Sequence, residues 1–499
     1  MTQNNYKFNH VKMTQLKFNY KRLFASVLML AIISCSNPWD DRLDNGDENL
    51  TVNLKEAIES RPEGSEFAQL LEQTGYDKVL EQSKTFTVFV PTNEAINQVD
   101  DAILNDPASL IAFIRNHITF TTYSSIREKQ EERIKMFTNK YVTFKGSTTI
   151  DEATIVSPDN YAKNGVFHII DKALTPKLNI WQFIKSQAGA SGISDYLLSL
   201  KEFNIYKSDS IGKAVSETNG AGYLSDSLTN SYLKNVYNLN NENNLYTVFL
   251  MQNDGYNAEV NKLKPYLIKT SNDPSKDSTA IYSKYFTLRD MAFAKEYELN
   301  ELPATLTSRF GVQIPVDKTQ IVQQVRLSNG IVYIMKKVDV DLGKRLVTTK
   351  IEGESITSFS PSNLRSRVLF RDRVDASGIF FNDIRVQNPG VSLFTLNYNA
   401  KDLFSTTYKV YWKAYNDRSV VVSQKLRVGG SNVFLNGVMQ GVIKEFAYMN
   451  VPANSYEELY LGEFTLAKAG NIDLISLIAG TSSTSELTLD YLRFVPQTK

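Results

Sequence analysis

Phe86-Thr-Val-Phe-Val-Pro-Thr-Asn-Glu-Ala-Ile96 reads as a strand that stops abruptly and becomes a helix. Phe86 to Val90 is aromatic and β-branched on both pleat faces, the pattern of a strand buried on both sides. Pro91 has no N–H to give a ladder and ends it. Thr92 is a good N-cap, and Glu94 stands in the first turn, where the positive end of a helix dipole favours a carboxylate. A second stretch of the same kind is Asn164-Gly-Val-Phe-His-Ile-Ile-Asp-Lys-Ala-Leu174, where an Asn-Gly turn opens another apolar strand. The two stretches start 78 residues apart (164 − 86).

The flanking segments supply helices. Thr51 to Tyr76 carries Leu54, Ala57, Ile58, Phe67, Leu70 and Leu71 at three- and four-residue spacing, with Gly75 as a stop. Asp106-Pro107 is an N-cap followed by proline at the first helical position, and the helix it starts is expected to put Leu110, Ile111, Phe113, Ile114 and His117 on one side. Tyr141 to Phe144 and Thr154 to Val156 read as further strands. The two anchor stretches resemble the signature segments of a fasciclin-type domain, over roughly Leu50 to Pro176. The resemblance implies that they are neighbouring strands of a central β-wedge, in an adhesion or ligand-binding module without a shared catalytic centre. It implies that His117, in Asn116-His117-Ile118, and His168, on the closing strand, are structural histidines. It also implies a third site type, a small apolar ligand held between wedge sheet and helices.

The same pattern returns. Leu245-Tyr-Thr-Val-Phe-Leu250 echoes Thr85-Phe-Thr-Val-Phe-Val90, and Ser328-Asn-Gly-Ile-Val-Tyr-Ile-Met335 echoes Lys163-Asn-Gly-Val-Phe-His-Ile-Ile170. The offsets, 160 (247 − 87) and 165 (329 − 164), are nearly equal, which predicts a second, diverged fasciclin-type domain over 177–340. In it Met251-Gln-Asn-Asp254 replaces Pro-Thr-Asn-Glu, and Tyr333 replaces the histidine. Its polar insertion, Lys207 to Asn244, ends almost in low complexity and reads as a surface loop or, more sharply, an adhesive lip.

Residues 341–499 change character. Short strands punctuated by Gly, Pro and Asn/Asp/Ser clusters predict an all-β, jelly-roll-like sandwich. The clearest strands are Ser366–Phe370, Val391–Leu396, Tyr408–Tyr415, Val420–Leu426, Glu458–Phe464 and the closing Leu487–Pro496. That last strand resembles the end of galactose-binding-like jelly rolls, including many carbohydrate-binding modules. In Tyr408–Tyr415 one face is Tyr408, Val410, Trp412 and Ala414, and the other is Lys409, Tyr411, Lys413 and Tyr415. Whichever is solvated carries rings, so Tyr411, Trp412 and Tyr415 are the candidate glycan contacts; a core role is the commoner one for a tryptophan.

Composition and targeting bound the rest. Lys17, Lys21 and Arg22 precede a mostly apolar run, Leu23 to Ile33, too short to span a bilayer and right for a signal h-region. Met13 is an alternative start. Ile32-Ile33-Ser34-Cys35 resembles a bacterial lipobox, which implies a signal peptide over 1–34 and a lipid on Cys35. The acidic, turn-rich 35–50 segment predicts a flexible tether and resembles a surface-export signal. Cys35 is the only cysteine, which excludes an intrachain disulfide and a Cys-based zinc site. Formal net charge is +1, so nothing in it favours nucleic acid. No phosphate-cradling glycine loop, HExxH or GxSxG occurs. The expectation is a multidomain α+β chain: two fasciclin-type β-wedge/helix domains, over 51–176 and 177–340, and a sandwich over 341–499. It is expected to be no enzyme and to hold no cofactor or metal. The first functional expectation is a lipid-anchored, surface-exposed outer-membrane adhesion protein that meets a protein or glycan through its fasciclin-type domains. The alternative is a glycan-binding accessory of an outer-membrane nutrient-uptake system.

Overall fold

The computed structural model describes residues 51–125, 131–201, 225–270, 273, 277–375, 377–431 and 433–499. Cys35, the signal segment and the tether lie outside them, as does the 207–224 part of the insertion. The chain forms two compact units, Met1–Pro176 and Lys177–Lys499.

In the first unit the anchor stretch folds as its residues dictate. Phe86–Pro91 is a strand, Thr92 caps the Asn93–Ile96 helix by accepting from the Ala95 N–H, and every residue of the strand is buried. Its neighbour is Gly165–Ile170, parallel, with Phe86 opposite Gly165 and Pro91 opposite Ile170. A seven-stranded sheet extends from this pair, in the order 118–120, 86–91, 165–170, 153–162, 149–150, 141–145, 132–135. Period-two alternation divides the central strands between two cores. Phe86, Val88, Val90, Phe167 and Ile169 pack on the helices through Leu54, Phe67, Phe113 and Ile114. Phe89 and Ile170 face the opposite way, onto Ile134, Phe144, Ile150 and Ile155. The helices are bounded where the sequence signals them: Asp106 caps Pro107–Arg115, and Gly75, at φ +73°, closes Ser65–Thr74.

The second unit has a parallel strand pair of its own, with several of the same side-chain bonds around it. Tyr246–Met251 lies parallel to Gly330–Met335, with Tyr246 opposite Gly330, in a sheet ordered 321–327, 330–335, 246–251, 292–293. Asn164 Oδ1 accepts from Leu54 N at 2.8 Å, and Asn329 Oδ1 accepts from Ile180 N at 2.8 Å. Thr87 bridges Thr121 O and Tyr123 N; Thr247 bridges Lys295 O and Tyr297 N. Asn93 accepts from Glu66 N and Asn253 from Gly192 N. Both strand-opening glycines are obligatory: a Cβ at Gly165 would lie 2.1 Å from Phe86 O, and one at Gly330 1.9 Å from Tyr246 O.

The described end of the insertion is not a free lip. Asp226–Thr229 and Ser231–Asn235 are helical, and Tyr232, Leu233, Val236 and Leu239 are buried. Asn179 Nδ2 donates to Asn240 Oδ1 and Glu242 Oε1, and Asn329 Nδ2 to Leu239 O. The polar composition satisfies buried backbone and caps rather than solvent.

After residue 341 the described residues form strands apart from two short helices, Leu342–Arg345 and Ser362–Arg367, and the connecting loops. One sheet runs 349–352, 491–496, 407–413, 458–465. A second runs 358–360, 395–403, 470–479, 422–429, 442–445. A third runs 368–374, 380–386, 487–489. The expected closing strand is therefore two strands in two sheets, Leu487–Leu489 and Tyr491–Pro496. The chain crosses between sheets at Asp490, whose N–H bonds to Lys413 O. The expected strands at 366–370 and 391–396 begin later, at Val368 and Thr395.

The second wedge and the sandwich share one continuous hydrophobic cluster. Phe286 meets Phe404 edge-on at 6.1 Å, Ile268 N donates to Ser405 Oγ at 3.0 Å, and Ala469 N to Ile268 O at 2.8 Å. Nearby Arg345, 2% exposed, spans two buried carboxylates, Glu259 and Asp290, each at 3.1 Å.

Candidate binding face of the sandwich

The candidate site is built on Thr407–Lys413, an inner strand between Glu458–Thr465 and Tyr491–Pro496. Tyr408, Val410 and Trp412 point inward, where Tyr408 stacks on Phe464 at 5.2 Å. Trp412 is 1% exposed, and its indole N–H has no hydrogen-bond partner among the described residues. Trp412 is thus corrected from the glycan-contact set. It and Tyr411 are adjacent on a pleated strand and cannot share a face, and the larger apolar ring takes the core.

Tyr411 and Tyr415 stand on the outward face, both half-buried. Tyr411 lies directly across from Tyr460 on one side and Arg493 on the other. The two tyrosine rings are 5.3 Å apart, tilted by 49°, and the Arg493 guanidinium sits 4.4 Å from the Tyr411 ring. Tyr460 is 47% exposed. Arg493 Nε donates to Glu458 Oε1 at 2.7 Å, and this bond holds the Glu458 carboxyl below its ordinary pKa. Lys350 covers the Tyr491 ring at 4.3 Å, and Lys413 covers Tyr456 at 4.0 Å. The face is a ring-and-charge mosaic, suited to ligands that are apolar on one side and hydroxylated at the edge.

At its far end Tyr415 meets Tyr456 and Phe381 edge-on, at 5.4 and 6.0 Å, while Phe381 stacks on Tyr456 at 4.4 Å. The Tyr456 hydroxyl donates to Asp490, whose pKa burial raises. Beyond Tyr415 lies an arginine cluster. Arg371, Arg373 and Arg385 share one face of the third sheet by period-two spacing and pairing, and all three reach Asp417. The sequence reading missed Tyr456, Tyr460, Phe381 and these arginines. The Arg371/Arg373 alternation in Val368–Val374 was the available signal; the cross-strand position of Tyr460 depends on a register bulge between Val410 and Tyr411.

Both histidines of the first unit have both ring nitrogens engaged. His117 Nδ1–H donates to Phe113 O at 2.8 Å and its Nε2 accepts from Leu174 N at 2.9 Å. His168 Nε2–H donates to Tyr123 O at 2.8 Å and its Nδ1 accepts from Asp159 N at 3.2 Å. Burial lowers both pKa values, that of His117 to about 4. In the repeated wedge the Tyr333 hydroxyl donates to Tyr297 O at 2.9 Å, the same backbone position relative to the bridging threonine. A phenol replaces an imidazole and keeps the bond, which marks the role as structural. Among the described residues no group of three or more His, Cys, Asp or Glu is arranged to hold a metal, and no helix is long and apolar enough to cross a membrane.

Between the first wedge sheet and its helices lie the protein's own buried side chains, Phe67, Val88 and Phe113 among them. A cleft of about 500 Å³ opens at the sheet edge, lined by Arg115, Phe120, Tyr123, Lys135, Met136 and Phe137. A larger one, about 680 Å³, lies in the second unit between Phe183, Met251, Asn253, Gln323 and Ile334.

Residues 62–176 match the family model of the fasciclin domain. Among curated proteins, transforming growth factor-beta-induced protein ig-h3 of Oryctolagus cuniculus is 28% identical over 142 residues, 27% of this chain and 21% of that protein. Protein sll1483 of Synechocystis sp. is 28% identical over 101 residues, 19% of this chain and 56% of that one. The chain thus spans about a fifth of the first relative and just over half of the second. Among solved structures, a FAS1 domain pair from the insect cell adhesion molecule Fasciclin I is 16% identical, covers 57% of this chain and 98% of its own, and has a TM-score of 0.22. The CBM36-1 domain of a multidomain xylanase from the hindgut metagenome of Trinervitermes trinervoides is 12% identical, covers 31% and 100%, and scores 0.21. The C-terminal CBM6 of LamC from Zobellia galactanivorans is 12% identical, covers 30% and 99%, and scores 0.20.

Proposed function

We propose that this chain is a surface-displayed, non-catalytic binding protein whose ligand is a glycan and whose contact face is the outward strip of the C-terminal sandwich. The observation that carries the reading is the Tyr411–Tyr460 cross-strand pair, with Arg493 and Glu458 beside it. Sugars stack their C–H faces on such rings and hydrogen-bond charged groups at the rim. The rest of the molecule serves display. Residues 1–34 are a signal peptide, Cys35 carries the lipid, and 35–50 tether the folded part to the outer face of an outer membrane. Residues 177–340 are a second, diverged fasciclin copy; the repeated Asn, Thr and Asn bonds and the parallel strand pair support this.

The test is binding of the full chain to a broad glycan panel. Saturable binding that a soluble competitor sugar reverses is expected; no binding at millimolar sugar would refute the reading. The second reading, adhesion to an extracellular protein through the fasciclin domain, is favoured by the family match at 62–176 and by Phe120, 57% exposed beside the edge cleft. It predicts instead that Phe120→Ser weakens cell attachment while glycan binding is unchanged.

A further inference from the structure

Four arginines and three carboxylates form one contiguous network at the third sheet of the sandwich: Arg371, Arg373, Arg385 and Asp383 stand on its strands, and Arg418, Asp417 and Glu486 join from segments outside them. Arg371 pairs with Asp383 and Asp417, Arg373 with Asp417, Arg385 with Asp417 and Glu486, and Arg418 with Glu486. One positive charge is left over. Asp383 and Glu486 lie inside, with side chains 0% and 8% exposed; Asp417, Arg373 and Arg418 are the accessible members, at 26%, 28% and 38%. Arg373 lies at the accessible edge of the network, where its one carboxylate partner among the described residues is Asp417. Its guanidinium lies 5.2 Å from the Tyr415 ring, so the network begins where the aromatic strip ends.

Asp417 explains what such a cluster recognises. Its carboxylate sits on an exposed loop and is shared by three guanidiniums, from Arg371, Arg373 and Arg385. Burial opposes its charge, but the three arginines more than offset that and hold its pKa below the ordinary value. The geometry is that of a carboxylate receptor occupied by the protein's own side chain. Planar guanidinium forks match carboxylates better than hydroxyls.

Resting on the glycan reading above, we propose that the Arg373–Arg418–Asp417 end of this face is an anion subsite that takes the carboxylate of a uronic-acid-containing polysaccharide. The neighbouring sugar rings lie along Tyr415, Tyr411 and Tyr460. The uronate carboxylate pairs with the accessible guanidiniums of Arg373 and Arg418 and neutralises the surplus charge. Asp417 competes for the same donors and so sets the affinity.

The experiment compares polygalacturonate with its fully methyl-esterified form, the same backbone without the charge, on the full chain. At low salt the acid form is expected to bind about tenfold or more tighter, and the gap to close toward 0.5 M salt as screening shortens the Debye length to a few ångströms. Arg373→Gln removes the gap. Asp417→Asn widens it, whereas a purely structural Asp417 would narrow it with loss of folding. Native tryptophan emission from buried Trp181 and Trp412 checks that each variant is folded. Equal binding of the two polymers, or a gap that persists in Arg373→Gln, overturns the inference and leaves the glycan reading in place. Preference for sulfated polymers alone overturns it as well. No binding to any polysaccharide sinks both.

Discussion

Acidifying the protein from pH 7.5 to 5 should weaken the first unit and spare the second. His117 is fully buried as the neutral imidazole, with a pKa of about 4 against 6.5 for the free side chain. The unfolded chain therefore takes up a proton that the folded one refuses, and stability falls as pH drops through 6.5 toward 4. Linkage over that interval gives about 2 kcal/mol lost by pH 5 and about 3.4 kcal/mol in the acid limit from His117 alone. His168, whose pKa burial also lowers, adds a loss of the same sign. No histidine follows His168, so the second unit has no counterpart. There, burial raises the pKa values of Asp290, Asp383 and Asp490, and their protonation on acidification favours the fold. The assay is amide hydrogen exchange, corrected for intrinsic rates. Protection of Phe86–Pro91 and Gly165–Ile170 should fall about 30-fold between pH 7.5 and 5, the ratio equivalent to about 2 kcal/mol. Tyr246–Met251 and Gly330–Met335 should keep theirs. Equal losses in both strand pairs, or none in the first, would refute the argument from buried neutral histidine.

Other consequences are as specific. Arg345→Met strands Glu259 and Asp290 as buried, unpaired charges and should destabilise the second unit by about 3–5 kcal/mol, read as a lower thermal midpoint of tryptophan fluorescence. Gly330→Ala puts a Cβ 1.9 Å from Tyr246 O at φ +136° and should cost about 3 kcal/mol by urea unfolding; a shift under about 1 kcal/mol would mean the strands separate easily. Tyr333→Phe loses only the bond to Tyr297 O and should cost about 1 kcal/mol in the same assay. Cys35→Ala should abolish metabolic labelling by palmitate; continued incorporation would contradict lipid attachment at that residue.

The wedge was legible because its signals are local. Pro91 followed by Thr92, and Asn164 followed by Gly165, fix where strands end and begin, and the same pairing logic carried over to Asn329-Gly330. Even the exchange of His168 for Tyr333 was visible, although that both donate to an equivalent carbonyl was not. The sandwich was legible in kind and less so in detail. The two faces of Tyr408–Tyr415 follow from pleat alternation, but which face is solvated depends on Phe464 and Phe494, supplied by strands far along the chain. Leu487–Pro496 reads as one strand because nothing local marks Asp490 as the crossing between sheets. The Asn-rich 235–244 segment reads as loop because composition cannot reveal that Leu239 is buried and that Asn240 accepts a hydrogen bond from the Asn179 amide. The arginine network is non-local altogether: Asp417 joins it from a loop, and Glu486 from a strand edge.

Glycan contact on the sandwich falls to Tyr411 and Tyr460. Isothermal titration of the full chain with the best glycan of the panel, beside Tyr411→Ala and Tyr460→Ala, tests it most directly. Each substitution removes one stacking surface and should weaken binding about three- to tenfold, in line with about 0.5–1.5 kcal/mol per aromatic contact. Trp412→Phe, altered on the buried face, should leave affinity unchanged. Wild-type affinity in both tyrosine variants would contradict the account and move the contact away from this face.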